Sequence, residues 1–207
     1  LADLDWFHPD PWLGTVAGRP ADCVKLGARA LWQEWYGKGA RPDLVISGMN
    51  AGANVGINVI YSGTMSAAIE ASIENIPSIG FSLLNPSLEA DFSGAQLYAR
   101  RIVEKVLSQR PDKHLCLNVN IPAVDASLIR GIRFCRQAYA KYDEDFHERK
   151  DPSGHKYYWL TGEFKNMDKG KDTDVWALRN NYVSVVPVQF DLTNHILKKK
   201  LEKTVKW

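Results

Sequence analysis

The chain has 207 residues, 45% of them hydrophobic and 24% charged, with a net charge of +2. That is the balance of a soluble globular chain, one domain or one plus an appendage, long enough to bury a core. So mild a charge does not imply a polyanion partner, since nucleic-acid binders usually concentrate Lys and Arg on one face, and no stretch approaches the roughly 18 apolar residues of a membrane span. Cys23, Cys116 and Cys135 are odd in number and widely spaced, which argues against a disulfide framework or a zinc site and for a reducing, cytoplasmic setting. The opening "LADLDWFHPDPW" lacks the basic and apolar regions of a signal peptide. It also lacks an initiator Met, so the natural start is expected to lie outside this numbering.

In chain order, Val24, Ala28, Leu31 and Trp35 fall at helical spacing over 20–36, with Pro20 suited to the first turn and Gly37 to the C-terminal cap. "RPDLVISG", 41–48, is a short apolar run bounded by Pro and Gly, the signature of a buried strand. From Thr64 to Asn75, Met65, Ile69, Ile73 and Ile76 define a second helix that stops before Pro77. "SIGFSLL", 78–84, follows as a strand, and strand–loop–helix–strand over this span predicts a parallel βαβ unit, normally right-handed. Tyr98, Ile102 and Val106 mark a helix over 93–109, and Leu115, Leu117, Val119 and Ile121 alternate as a strand through 114–122.

Beyond Pro122 the texture turns β-rich, at 131–142, 155–160 and 181–190, with the turn signal "DPSG" at 151–154. The expected fold class is α/β, a Rossmann-like, mostly parallel sheet with helices on both faces, occupying 1–122. A protruding β-hairpin arm, a returning strand and a C-terminal tail helix follow in 123–207. Thr193 or Asn194 would cap that last helix, and "KKKLEK", 198–203, reads as its solvated face.

The stretch between the first strand and its helix is unusually long and rich in Gly and Asn. Gly48, Gly52 and Gly56 recur every four residues, with Asn50, Asn54 and Asn58 each two residues after one of them. Connections of this type usually run about two to six residues. At the carboxyl end of a parallel strand such a loop lies where ligands bind, and glycines there let backbone amides approach an oxyanion beside a helix N-terminus. "YSGT", 61–64, is placed for this. Asparagine can add a neutral oxygen to a hard-cation shell, or Asn and Gly together can simply serve left-handed turns; the pattern alone leaves both open. There is no Walker motif and the Gly spacing fails the dinucleotide fingerprint.

These segments resemble the SurE family of stationary-phase survival proteins. "GRPADCVKLG" (18–27) is similar to that family's G-T-P-A-D-C-V-x-L, and "PDLVISGMNAGANVG" (42–56) to its P-D-L-V-V-S-G-I-N-x-G-x-N-x-G. "YSGTMSAAIE" (61–70), "LNVNIP" (117–122), "DPSGHKYYWLTG" (151–162) and "TDVWALRNNYVSVVPVQFDLT" (173–193) also have counterparts, in order. The resemblance implies a metal-dependent nucleotide phosphatase that converts nucleoside monophosphates to nucleoside and phosphate with magnesium or manganese. It implies Asn50 as a metal ligand, and Asn54, Ser62, Gly63 and Thr64 as lining of the phosphate pocket. It also implies dimers or tetramers built through the hairpin and a swapped tail.

The departures are specific. The family's adjacent Asp-Asp pair after the first strand, and a metal-binding serine some thirty residues on, have no counterpart; Asp3 and Asp5 are neither adjacent nor after a strand. About the first βαβ portion of the family is not visible. Ile57 and Asn58 stand where the family often has acidic residues, and Arg19 where it often has Thr. A catalytically silent nucleotide- or phosphate-binding protein, and an assembly protein with a vestigial pocket, are therefore the alternatives to an enzyme. Asp172 and Asp174 are expected at a turn or strand end. The five histidines, His8, His114, His147, His155 and His195, lack metal-ligand spacing, and Tyr157, Tyr158 and Trp159 suit cross-strand packing at a subunit interface. Ser62 is not in a nucleophile elbow and is expected as an N-cap or phosphate contact.

Overall fold

Side-chain alternation along the central strands decides how the molecule is layered. A computed structural model describes residues 16–205; Asp3, Asp5 and His8 lie outside them. The strands are β1 (Val45–Ala51), β2 (Ser78–Leu83), β3 (Cys116–Ile121), β4 (Ile132–Phe134), β5 (Ala140–Lys150), β6 (Lys156–Asn166) and β7 (Val183–Pro187). The helices are α1 (Pro20–Leu26), α2 (Trp32–Tyr36), α3 (Gly63–Ile73), α4 (Ser93–Ser108), α5 (Asp174–Arg179) and α6 (His195–Thr204). A π-helical stretch, Gly27–Leu31, joins α1 to α2, so the helix expected over 20–36 is continuous, and Gly37 ends it at φ 98°.

Five strands form one sheet in the order β1-β2-β3-β7-β4. β1, β2 and β3 are parallel, β7 runs antiparallel to β3, and β4 is parallel to β7. The odd-numbered residues of β2 and β3, Ile79, Phe81, Leu83, Leu117, Val119 and Ile121, pack with Ala95, Tyr98, Ile102 and Val103 of α4. Each large apolar side chain so buried is worth about 1.5–3 kcal/mol. The even-numbered residues face α3: the Ser78 hydroxyl donates to the Ala68 carbonyl at 2.6 Å, and Cys116 clusters with Met65 and Ala68. At Gly80 a Cβ would lie 2.5 Å from the Met65 sulfur, so the helix sits directly on that strand.

Helices α3 and α4 therefore cover opposite faces, although β1→β2 and β2→β3 step the same way across the sheet. The two crossovers must have opposite hands, and one of them takes the uncommon left-handed form. The chain leaving β1 turns to one face and the chain leaving β2 to the other.

Three further elements differ from expectation for physical reasons. β1 begins at Val45 rather than 41 and runs on to Ala51, with an extra residue between Ser47, opposite Gly80, and Asn50, opposite Ser82. Gly48 permits this bulge: its φ is 114°, and a Cβ there would meet the Phe81 carbonyl oxygen at 2.3 Å. β5 extends through "DEDFHERK", which lacks apolar alternation because it is exposed along its length; it pairs with β6 from Ala140 opposite Asn166 to Lys150 opposite Lys156. Asp174 begins α5 rather than a turn, with the Thr173 hydroxyl accepting from the Trp176 amide at 3.2 Å. At the tail the capping residue is Asn194, whose side chain accepts from the Leu197 amide at 2.8 Å.

Candidate active site

The loop after β1 follows from the alternation just described. Ser82 of β2 and Asn118 and Asn120 of β3 lie on the α3 face but near the carboxyl ends of their strands. There the loop covers them, and all three are buried. Buried polar groups need partners, and Asn54 supplies them. Its amide N–H donates to Asn120 Oδ1 at 2.7 Å, its Nδ2 donates to Ser82 Oγ at 2.8 Å, and its carbonyl accepts from Asn118 Nδ2 at 2.8 Å and Asn120 Nδ2 at 3.1 Å. Asn120 Nδ2 also donates to Asn118 Oδ1 at 3.0 Å, closing the network. Asn54 is thus the plug that fixes the loop to the sheet floor.

Two residues on, Gly56 is fixed from both sides. Its N–H donates to Asp174 Oδ2 at 2.9 Å. A Cβ there would lie 2.4 Å from the Ala140 carbonyl oxygen at the base of the hairpin, and its φ is 57°. Asp174 is fully buried, and its Oδ1 accepts from the amides of Ala138 (3.0 Å) and Val175 (2.7 Å). Burial pushes its carboxyl above the usual carboxylate range, opposed by the amides that favour the ionised form.

From Gly56 a 3₁₀ turn runs to Tyr61 and delivers the chain to α3. Ser62 is the N-cap: its hydroxyl accepts from the Met65 amide at 3.1 Å. The Gly63 and Thr64 amides, in the first turn, have no intrahelical acceptor by helix geometry and are the donors open to an oxyanion. Gly63 packs beside Pro20, where a Cβ would be 3.3 Å from the proline ring. Lys25–Glu70 at 3.6 Å and Arg29–Glu74 at 2.6 Å continue that contact along the helices, so α1 and α3 run parallel. Two positive dipole ends consequently meet at the same edge. The Arg29 guanidinium holds Glu74 below the usual carboxylate range.

Asn50 stands at the end of β1 opposite Ser82. Its Nδ2 donates to the carbonyls of Gly52 at 2.7 Å and Ala51 at 3.3 Å, which fixes the amide's orientation. A hard divalent cation wants several oxygens, some anionic. Among the described residues no group of three or more His, Cys, Asp or Glu comes together to hold a metal, and Asn50 offers one neutral oxygen, so these residues do not fit such an ion by themselves. Cys116 on the same sheet face is no nucleophile, its thiol being pushed up to about 11 by burial.

The structure thus gathers Asn54, Ser62, Gly63 and Thr64 on one connection, with Asn50 where it leaves the sheet. Among them Asn54 is committed to anchoring through its backbone and its Nδ2. Asn118, Asn120, Ser82 and Asp174 were not singled out as site residues from sequence. The available signal was Asn at every second position in "LNVNIP", polar on the face that the apolar alternation leaves over. His114, His155 and His195 bond locally to Ser72, Asp151 and Asp191 and stay apart from the site.

A protein-family model described as survival protein SurE matches residues 9–144, which takes in the whole loop. A 5′-nucleotidase SurE of Cytophaga hutchinsonii is 50% identical over 191 residues, 92% of this chain and 72% of that protein. The protein of the same name from Flavobacterium psychrophilum is 52% identical over 181 residues, 87% of this chain and 68% of its own length. Among solved structures, the SurE protein of Aquifex aeolicus superposes with a TM-score of 0.74 at 39% identity, covering 91% of this chain and 73% of that one.

Proposed function

The chain belongs to the SurE family, and from that premise we propose that it is a 5′-nucleotidase, a phosphomonoesterase that hydrolyses nucleoside monophosphates to nucleoside and phosphate. The observation that carries the reading is the identity of about half of all residues, over about nine-tenths of the chain, to proteins named for that activity.

The chain's own residues do three things for such a substrate. The Gly63 and Thr64 amides, at the end of a helix whose dipole favours negative charge, bind phosphoryl oxygens and orient the ester. The Thr64 hydroxyl adds a further donor. Asn54, held by Asn118, Asn120 and Ser82, keeps the glycine turn close to that group. Family membership points to a divalent metal, and we take magnesium or manganese as the ion because oxygen donors suit hard cations; Asn50 Oδ1 would be one such donor, and the described residues do not complete the set.

Assembly as a homodimer or homotetramer fits the exposed Phe146, Tyr158 and Trp159 of the hairpin and the exposed Ile196, Leu197 and Leu201 of α6. A cytoplasmic setting fits the three free cysteines; no described helix is long and apolar enough to cross a membrane. The test is release of inorganic phosphate from a nucleoside monophosphate, with and without manganese. Turnover that manganese raises supports the reading, and its absence in intact, folded protein refutes it.

A further inference from the structure

We propose that Asp174 is a positioning residue for phosphate recognition, holding the turn that feeds α3 in its anion-facing shape through the Gly56 amide. The inference rests on the 5′-nucleotidase reading for the identity of the ligand, a phosphate monoester, but not for its geometry. Nothing in the chemistry places Asp174 against substrate. Its partners are three backbone amides from three different parts of the chain: Gly56 in the loop, Ala138 at the root of the hairpin and Val175 in α5.

The division of labour between its two oxygens is what makes the role separable from stability. Oδ1 serves Ala138 and Val175, while Oδ2 serves Gly56 alone. Thr173, not Asp174, supplies the side-chain cap of α5. A carboxamide in place of the carboxylate keeps one oxygen, which satisfies the pair of donors best when turned toward Ala138 and Val175. Its NH2 then faces the Gly56 N–H, donor against donor. Asp174→Asn is therefore a nearly isosteric change that releases the loop and leaves the hairpin root and α5 attached. The released residue is the one that starts the 3₁₀ turn Gly56–Tyr61 leading into Ser62. Freed there, the Gly63 and Thr64 amides lose their fixed relation to the Asn54 plug.

The experiment compares wild type, Asp174→Asn and Thr173→Ala in the intact protein with magnesium present. The readouts are the dissociation constant for inorganic phosphate by calorimetry, KM and kcat for a nucleoside monophosphate, and the melting temperature. Asp174→Asn should weaken phosphate binding and raise KM in parallel by roughly five- to thirtyfold, the weight of one orienting hydrogen bond to a buried group. Hydrogen exchange should accelerate over 52–62 but not over 174–179. Thr173→Ala should lower the melting temperature and leave phosphate binding unchanged. A folded Asp174→Asn protein with wild-type phosphate affinity overturns the proposal, as does equal loss in both variants. If Asp174→Asn does not fold, Gly56→Ala, which is pushed off the Ala140 carbonyl, replaces it; unaltered phosphate affinity there also overturns the proposal, and weakened affinity supports it. Wild type that binds phosphate without turning over a nucleotide refutes the activity and leaves this inference to stand or fall on the binding constants.

Discussion

Replacing Asn120 by alanine tests whether the loop is held by the sheet floor. Asn120 is fully buried and makes three hydrogen bonds: it accepts from the Asn54 amide at 2.7 Å and donates to the Asn54 carbonyl at 3.1 Å and to Asn118 Oδ1 at 3.0 Å. Each bond has a net worth of about 0.5–1.5 kcal/mol. The Asn54 carbonyl keeps Asn118 as a donor, but Asn118 Oδ1 and the Asn54 amide lose their partner, so the upper half of that range applies. The expected loss is about 3 kcal/mol, which for a domain of this size lowers the melting temperature by about 6–12 °C. Urea and thermal unfolding give the number, and phosphate affinity should fall with it because Asn54 is loosened. Ser82→Ala removes the acceptor of Asn54 Nδ2, and the two changes share Asn54, so their double-mutant cycle should depart from additivity. A loss below about 0.5 kcal/mol, the size of an ordinary surface change, together with unchanged phosphate affinity, would refute the anchoring role.

Other expectations are more local. Gly48→Ala should cost about 2–4 kcal/mol, from a left-handed backbone and a Cβ driven into the Phe81 carbonyl; unfolding equilibria check this, and a neutral effect would show that the bulge yields. Asn50→Ala should lower metal affinity and activity together, measured by titrating manganese against turnover, and unchanged activity at limiting metal removes Asn50 from the site. Thr64→Val should raise KM about three- to tenfold through one lost hydroxyl donor with little change in kcat; an unaltered KM contradicts contact with phosphate. Asp168 is held well below the usual carboxylate range, chiefly by the Arg136 guanidinium, at 2.6 Å, and then by the amides of Gly170 and Tyr139. A lowered folded pKa gives stability that is fully present above the unfolded value of about 3.9 and is lost as pH falls below it. Asp168→Asn should therefore flatten the acid limb of the stability profile below about pH 4, and identical slopes would exclude this pair as a source of acid sensitivity.

The elements easiest to read from sequence are those whose signal is local. Tyr98, Ile102 and Val106 predict α4 because a helix against a sheet must be apolar on one side, and Leu117, Val119 and Ile121 predict β3 for the corresponding reason. The charged arm strand β5 carries no such signal, since neither of its faces is buried. The site divides similarly. Glycine and asparagine spacing, with "YSGT", point to the long loop and to the helix it leads into. Asn118 and Asn120 escape because polar residues in a strand read as solvent-facing until a loop is known to lie over them. Asp174 escapes because its meaning lies in Gly56, 118 residues away in sequence.

The hairpin arm also has consequences for how the protein will behave in a test tube. A lone two-stranded ribbon is marginal in water, and among the described residues β5 and β6 pack on the body at their root, where Ala138, Ala140 and Phe164 join Val55, Val175 and Leu178. Order along the arm should then be graded, with amide exchange slow at Ala140 and quickening outward. A protease offered the chain should nick the tip around 151–154 long before it touches the sheet.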